Sequence, residues 1–186
     1  MSAPVVAPRR RDTCLGIHLG HREVGLAVVT RERLIDAHVL TIRKIPSMDG
    51  RERRLRQVIV TLIAETGVTT IAIVEPPRRR GDNGSLVAVV HDEAKRRALP
   101  VEEVAAECLR TTYTATGARP SNRAVGLCLV GRFPELRRCV DPAAPVVPGA
   151  RVRTRSDRER YFGRMFLALA AALVALDDGL KAKLPL

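Results

Sequence analysis

Aromatic side chains are scarce in this chain: tryptophan is absent, and two tyrosines and three phenylalanines make up only 3% of the residues. That scarcity argues against a single-strand binding surface built from stacked bases and aromatic rings. The four cysteines, Cys14, Cys108, Cys128 and Cys139, show no CxxC spacing, so neither a zinc framework nor a disulfide scaffold is expected. Three of them lie in apolar contexts that read as buried, reduced thiols. No run approaches the ~18 consecutive apolar residues of a membrane span. The opening "MSAPVVAPRRR" lacks the apolar core of a secretion signal and reads as a disordered basic arm over residues 1–12. A cytoplasmic protein with no membrane association is the expectation. Internal repeats and recognisable base-reading motifs are also missing.

Positive charge, by contrast, is abundant. Thirty-two Lys and Arg face twenty Asp and Glu, a net charge of +12 in 186 residues. An excess of this size favours polyanions, because each phosphate neutralised releases condensed counterions. A preference for arginine codons would give the same count, so charge alone does not decide the matter. The 46% hydrophobic content and the length suit one folded domain over residues 13–186.

The pattern predicts strands at Thr13–Leu19, Val24–Thr30 and Leu34–Ile42, joined by tight turns at Gly20 and "RER". A helix follows in "DGRERRLRQVIVTLIAETG", where Leu55, Val58, Ile59, Leu62 and Ile63 recur on one face and Gly67 stops it. Asp49 and Glu52 have the spacing of its capping box. "TTIAIVE" is a near-continuous apolar run of a central strand, halted by Pro76-Pro77. Then come a helix at Ser85–Ala98, a short strand at Val101–Glu107, and a helix capped by Ser121 that runs to Arg132. "CVDPAAPVVPGARVRTR" reads as a Pro-rich basic loop before a long last helix, with Ser156 and Glu159 as its capping box. Strands and helices in this order imply an α/β fold, a five-stranded mixed sheet with helices on both faces.

Four segments together resemble the RuvC-type Holliday junction resolvases of the RNase H-like superfamily. "LGIHLGHREVGLAVV" is similar to the family's Gly-Ile-Asp-x-Gly opening, and "TTIAIVE" puts Glu75 where the family carries a metal-binding Glu. "TGARPSNRAVGLCLVGRFPEL" resembles the segment after the fifth strand, and "ERYFGRMFLALAAAL" the closing helix that usually contains Asp-x-x-Asp-Ala. The resemblance implies an RNase H-like fold over roughly residues 13 to 176, DNA as partner and a homodimer. It also implies a cleft reached by His18 and Glu75 from adjacent central strands.

The departures matter more than the matches. His18 stands where the family has its first Asp, and Arg164 and Leu167 stand where its last two acids belong. Two Mg²⁺ ions about 4 Å apart would need bridging oxygen ligands. A neutral imidazole, a cation and a hydrocarbon do not supply them. No metal or other cofactor is expected, and Mg²⁺ or Mn²⁺, held through Glu75, enters only if the chain is an active nuclease. "HLGH" would offer His18 and His21 to a metal, but two histidines on a turn are a weak signature. His18 equally reads as a satisfied core histidine. A buried Glu75 would require a partner, and Arg164 is the expected one.

The resemblance lays the loop of Arg78, Arg79 and Arg80 along DNA, and makes Arg119, Asn122, Arg123, Arg151, Arg153 and Arg155 candidate backbone contacts. Three functions stay open: a degenerate pseudo-nuclease that binds DNA, branched DNA included; an active junction-resolving endonuclease; and a basic adaptor that binds protein or RNA in a larger assembly.

Overall fold

A computed structural model describes residues 12–20, 22–75, 83–115, 118–140 and 155–177, with only the backbone of Asn83 and residues 155–158. The N-terminal arm, His21, Arg78, Arg79, Arg80, Arg151, Arg153 and the Arg155 side chain, all named above, lie outside the described residues. So do the Ser156 half of the expected capping box and the Pro-rich loop before it.

Three strands, β1 (Thr13–Leu19), β2 (Glu23–Thr30) and β3 (Leu34–Thr41), form an antiparallel meander. Helix α1 (Met48–Thr66) then leads into β4 (Thr70–Val74), which pairs parallel to β1, and α2 (Asn83–Arg96) leads into β5 (Val101–Val104), parallel to β4. The sheet order is β3-β2-β1-β4-β5. This five-stranded mixed sheet is the fold the pattern predicts, with β1 and β4 side by side at its centre.

Period-two alternation divides the core. Leu15, Ile17, Leu19, Ile71 and Ile73 face Leu55, Ile59 and Leu62 of α1 and Leu86, Val89 and Val90 of α2. Cys14, Ala27, Val29, Ala72 and Val74 face the other way. That second face is covered by α3 (Ala106–Thr112), α4 (Asn122–Arg132) and the long α6 (Arg155–Leu176). A single 3₁₀ turn at Pro134–Leu136 and the short α5 (Arg137–Val140) join α4 to the segment before α6.

Helix α6 lies very close to the sheet because glycines open the way. A Cβ on Gly16 would fall 1.9 Å from the carbonyl oxygen of Ala168, and one on Gly25 would fall 2.3 Å from the backbone of Arg164. Glycine in β1 and β2 therefore sets how deep α6 sits, and so where its residues 164 and 167 are held.

The local assignments differ from the sequence expectations at three places. The cap of α1 is Ser47, whose Oγ accepts from the Gly50 N–H at 3.2 Å, and Asp49 sits instead in the first turn, where its charge suits the helix dipole. Gly67 closes this helix in the left-handed region at φ 66°, as expected. The strand expected over Val101–Glu107 ends at Val104, and "AECLRTT" forms α3 instead. Ala and Glu favour a helix there, whereas Val101 and Val104 favour the strand. Of the cysteines only Cys14 is buried; Cys128 is exposed, and Cys108 and Cys139 are intermediate.

Candidate nucleic-acid interface

Residues at the C-terminal ends of β1 and β4 meet α3, α4 and α6 around His18. The histidine shares its strand face with Cys14 and Gly16, so it points at α6. Its neighbour across β1 is Gly25, and across the parallel ladder it is Val74. The imidazole is mostly buried, and its Nδ1 lacks a hydrogen-bond partner among the described residues. Burial, then the charge of Arg164, pushes its pKa from 6.5 down to about 4, with a smaller push from Arg110. His18 is therefore neutral at pH 7.

Arg164 reaches this point from α6. Its guanidinium lies over Gly20, where a Cβ would stand 2.0 Å from Nη1. The hairpin glycine thus leaves the space that the arginine head fills. Its ion partner is Glu23 of β2, with Nε 3.6 Å from Oε2, which is too long for a hydrogen bond. Burial pulls the Arg164 pKa below its ordinary value, while the Glu23 carboxylate pulls it back.

The expected pairing of Arg164 with Glu75 is corrected on both sides. Glu75 is exposed and has no need of a buried partner. Its N–H donates to the Val104 carbonyl at 2.9 Å, so it continues the parallel ladder one step past Val74. Alternation then assigns it to the α1 and α2 side of the sheet, opposite His18. The residue beside His18 on its own face is Val74, which is fully buried. The acid that ends the apolar run therefore lies one residue past the position that faces the cleft. Glu23 escaped notice because it read as turn rather than as the first residue of β2.

Leu167 is fully buried in the core beneath α6. Of the residues at which the resemblance expects metal ligands, His18, Arg164 and Leu167 present a neutral imidazole, a guanidinium and a leucine, and the residue beside His18 is a valine rather than Glu75. This donor set does not fit a pair of Mg²⁺ ions, which require several anionic oxygens. Among the described residues no group of three or more His, Cys, Asp or Glu is placed to hold a metal ion.

Arg110, on α3, was not singled out in the sequence. Its Nε donates to Asn122 Oδ1 at 2.8 Å and its Nη1 to Glu107 Oε2 at 2.9 Å. Asn122 also packs over Gly163, the residue before Arg164. Arg110 is thus bonded to the start of α4, where Asn122 packs against α6 at Gly163. Of the expected DNA contacts, Arg119 is exposed, and Arg123 donates to Glu159 Oε1 at 2.7 Å. Asn122 sits immediately after Ser121, whose Oγ caps α4 through the Ala124 N–H at 3.1 Å. Glu159 ties α6 to α4 through this contact.

The His18 environment predicts an acid-labile fold. Because its folded pKa lies below the unfolded value, the stability it contributes is complete above pH 6.5 and is lost as pH falls toward 4. At about 1.4 kcal/mol per pKa unit the loss is about 3 kcal/mol. Urea titrations from pH 7 to pH 4 should show it. His18→Asn should flatten that part of the curve, and an unchanged curve would contradict this environment.

The sheet order, the helices on both faces and the cleft at the ends of β1 and β4 define a RuvC-type RNase H-like fold. Solved structures bear this out. The chain superposes on Thermus thermophilus RuvC, free and in complex with a Holliday junction substrate, with a TM-score of 0.62 in each case and 18% identity. In the complex the match covers 87% of this chain and 90% of the resolvase. The yeast mitochondrial Holliday junction resolvase matches with a TM-score of 0.55 at 12% identity, over 94% of this chain and 85% of that one. No protein-family model and no curated protein sequence matches.

Proposed function

We propose that this chain is a RuvC-like DNA-binding protein that lacks the metal-dependent cleavage chemistry of a resolvase. The observation that carries the reading is Arg164. It fills the cleft of a RuvC-type fold with a guanidinium, where cleavage would call for carboxylates. The net charge of +12 supports a polyanionic ligand. The structural match to a resolvase bound to a four-way junction supports DNA, branched DNA included. Contacts to the phosphate backbone, rather than base readout, suit a surface rich in arginine and poor in aromatics. The residues proposed to make them are Arg78, Arg79, Arg80, Arg119, Asn122, Arg123, Arg151, Arg153 and Arg155, in a cytoplasmic homodimer that needs no metal.

Anisotropy or gel-shift titrations with a four-way junction, its duplex arms and a single strand, over a range of NaCl, test the binding. The affinity is expected to fall steeply with salt. Replacing Arg78, Arg79 and Arg80 together should flatten the log–log slope by up to about 2 to 3 units, at about 0.9 per phosphate contact. No salt-dependent binding to any of the three DNAs would reject this function and favour an adaptor that binds protein or RNA.

A further inference from the structure

Two of the three buried side-chain polar atoms without a hydrogen-bond partner among the described residues lie in this one cleft: His18 Nδ1 and Arg164 Nε. Native proteins leave few such atoms, and a missing ligand is one of the ordinary reasons. The Arg164 Nε has no hydrogen-bond partner among the described residues, and it stands 3.6 Å from the Glu23 carboxylate in an ion pair. Its side chain is nonetheless 23% exposed, so an incoming group can reach it. Arg110, whose side chain is 30% exposed, uses Nε and Nη1 on Asn122 and Glu107. Its Nη2 makes no hydrogen bond to a described residue.

We infer that Arg164 and Arg110 form a phosphate-receiving site in this cleft, occupying with fixed positive charge the place where a cleaving relative of this fold would hold cations. A phosphate oxygen accepts from the planar forks that the protein itself leaves unsatisfied. The depressed His18 pKa is consistent with both guanidinium charges lying near the imidazole. Glu23 beside Arg164 Nε and Glu107 beside Arg110 Nη1 reduce the net charge. The site therefore suits a single phosphate group, not a dense polyanion. That the phosphate belongs to a DNA backbone rests on the function proposed above; free phosphate is the other source of the same chemistry.

The experiment uses the full chain in two arms. In the first, inorganic phosphate is titrated into isotope-labelled protein while the arginine Nε–H and His18 ring resonances are followed. In the second, DNA affinity is measured against NaCl for wild type, Arg164→Gln, Arg164→Lys and Arg110→Gln. Phosphate should shift the Arg164 and His18 resonances. Arg164→Gln and Arg110→Gln should each weaken DNA binding about tenfold and lower the salt slope by about 0.9, the value for one lost contact. Arg164→Lys should retain most of the slope. A merely structural Arg164 would lower thermal stability and leave the slope alone. Should Arg164→Gln fail to fold, Arg110→Gln, on a half-exposed position, still gives a decision. Wild-type slopes in both glutamine variants would overturn the site and leave DNA binding standing. Phosphate shifts without DNA binding would keep the site and reject the DNA backbone as its source. No response in either arm would reject both.

Discussion

Gly16→Ala is expected to destabilise the protein by about 4 kcal/mol, although it adds one methyl group to a strand. The methyl would fall 1.9 Å from the Ala168 carbonyl oxygen and 3.0 Å from the Ala172 Cβ. The first obstacle is backbone, so no side chain can rotate away. Relief requires α6 to lift from β1, and that helix covers one whole core with Leu167 through Leu176. Overpacking a dense core ordinarily costs about 1–3 kcal/mol, and a clash that moves an entire helix exceeds this. Gly131→Ala in α4 is the control, because nothing lies within 4 Å of the added Cβ. There, alanine should stabilise by about 0.5–1 kcal/mol through helix propensity. Chemical denaturation of the two variants tests the packing, and a Gly16→Ala protein as stable as wild type would contradict it.

The second large effect concerns Glu93, a carboxylate of α2 that is only 1% exposed. Arg56 of α1 and Arg97 both hydrogen-bond it, and Arg96 Nη1 joins at 3.0 Å. Burial raises its pKa, but the hydrogen bonds from Arg56 and Arg97 outweigh that and hold the carboxyl below its ordinary value. Arg56→Ala with Arg97→Ala would strand the buried charge beside the largely exposed Arg96, at a cost of about 3–5 kcal/mol. Glu93→Leu should cost far less, since the released arginines are part-exposed and can turn to water. The asymmetry is the test: equal losses in the two variants would mean that burial of this carboxylate is not what α1 and α2 share. Because the folded pKa is depressed, this contribution is present above the ordinary carboxylate range and is lost as pH falls through the folded value. It therefore fails at lower pH than the His18 contribution.

The sheet was legible in the sequence because its strands are short apolar runs bounded by glycine, proline and charge. Cys14 to Leu19 and Ile71 to Val74 admit few other readings. The last helix was equally plain from its unbroken apolar and alanine-rich face. What periodicity could not supply was register. Whether Val74 or Glu75 stands beside His18 depends on one residue of strand pairing, and a step of one exchanges the faces of a sheet. The Arg164–Glu23 pair was hidden for a related reason. It joins residues far apart in sequence, through a space that exists only because Gly20 lacks a side chain. Arg110 gave no signal as a lone arginine in a segment expected to follow a strand. The absence of acids at 18, 164 and 167 was visible at once, and the structure adds that the residue beside His18 is Val74.

The proposed function has a RuvC-type fold, with a guanidinium in its cleft, bind DNA without cutting it. Incubating purified protein with a labelled four-way junction in Mg²⁺ and separately in Mn²⁺, and resolving the strands on a denaturing gel, tests it most directly. The junction is expected to be bound and recovered intact in both metals. Metal-dependent cleavage of the junction by the wild-type protein would contradict the proposal.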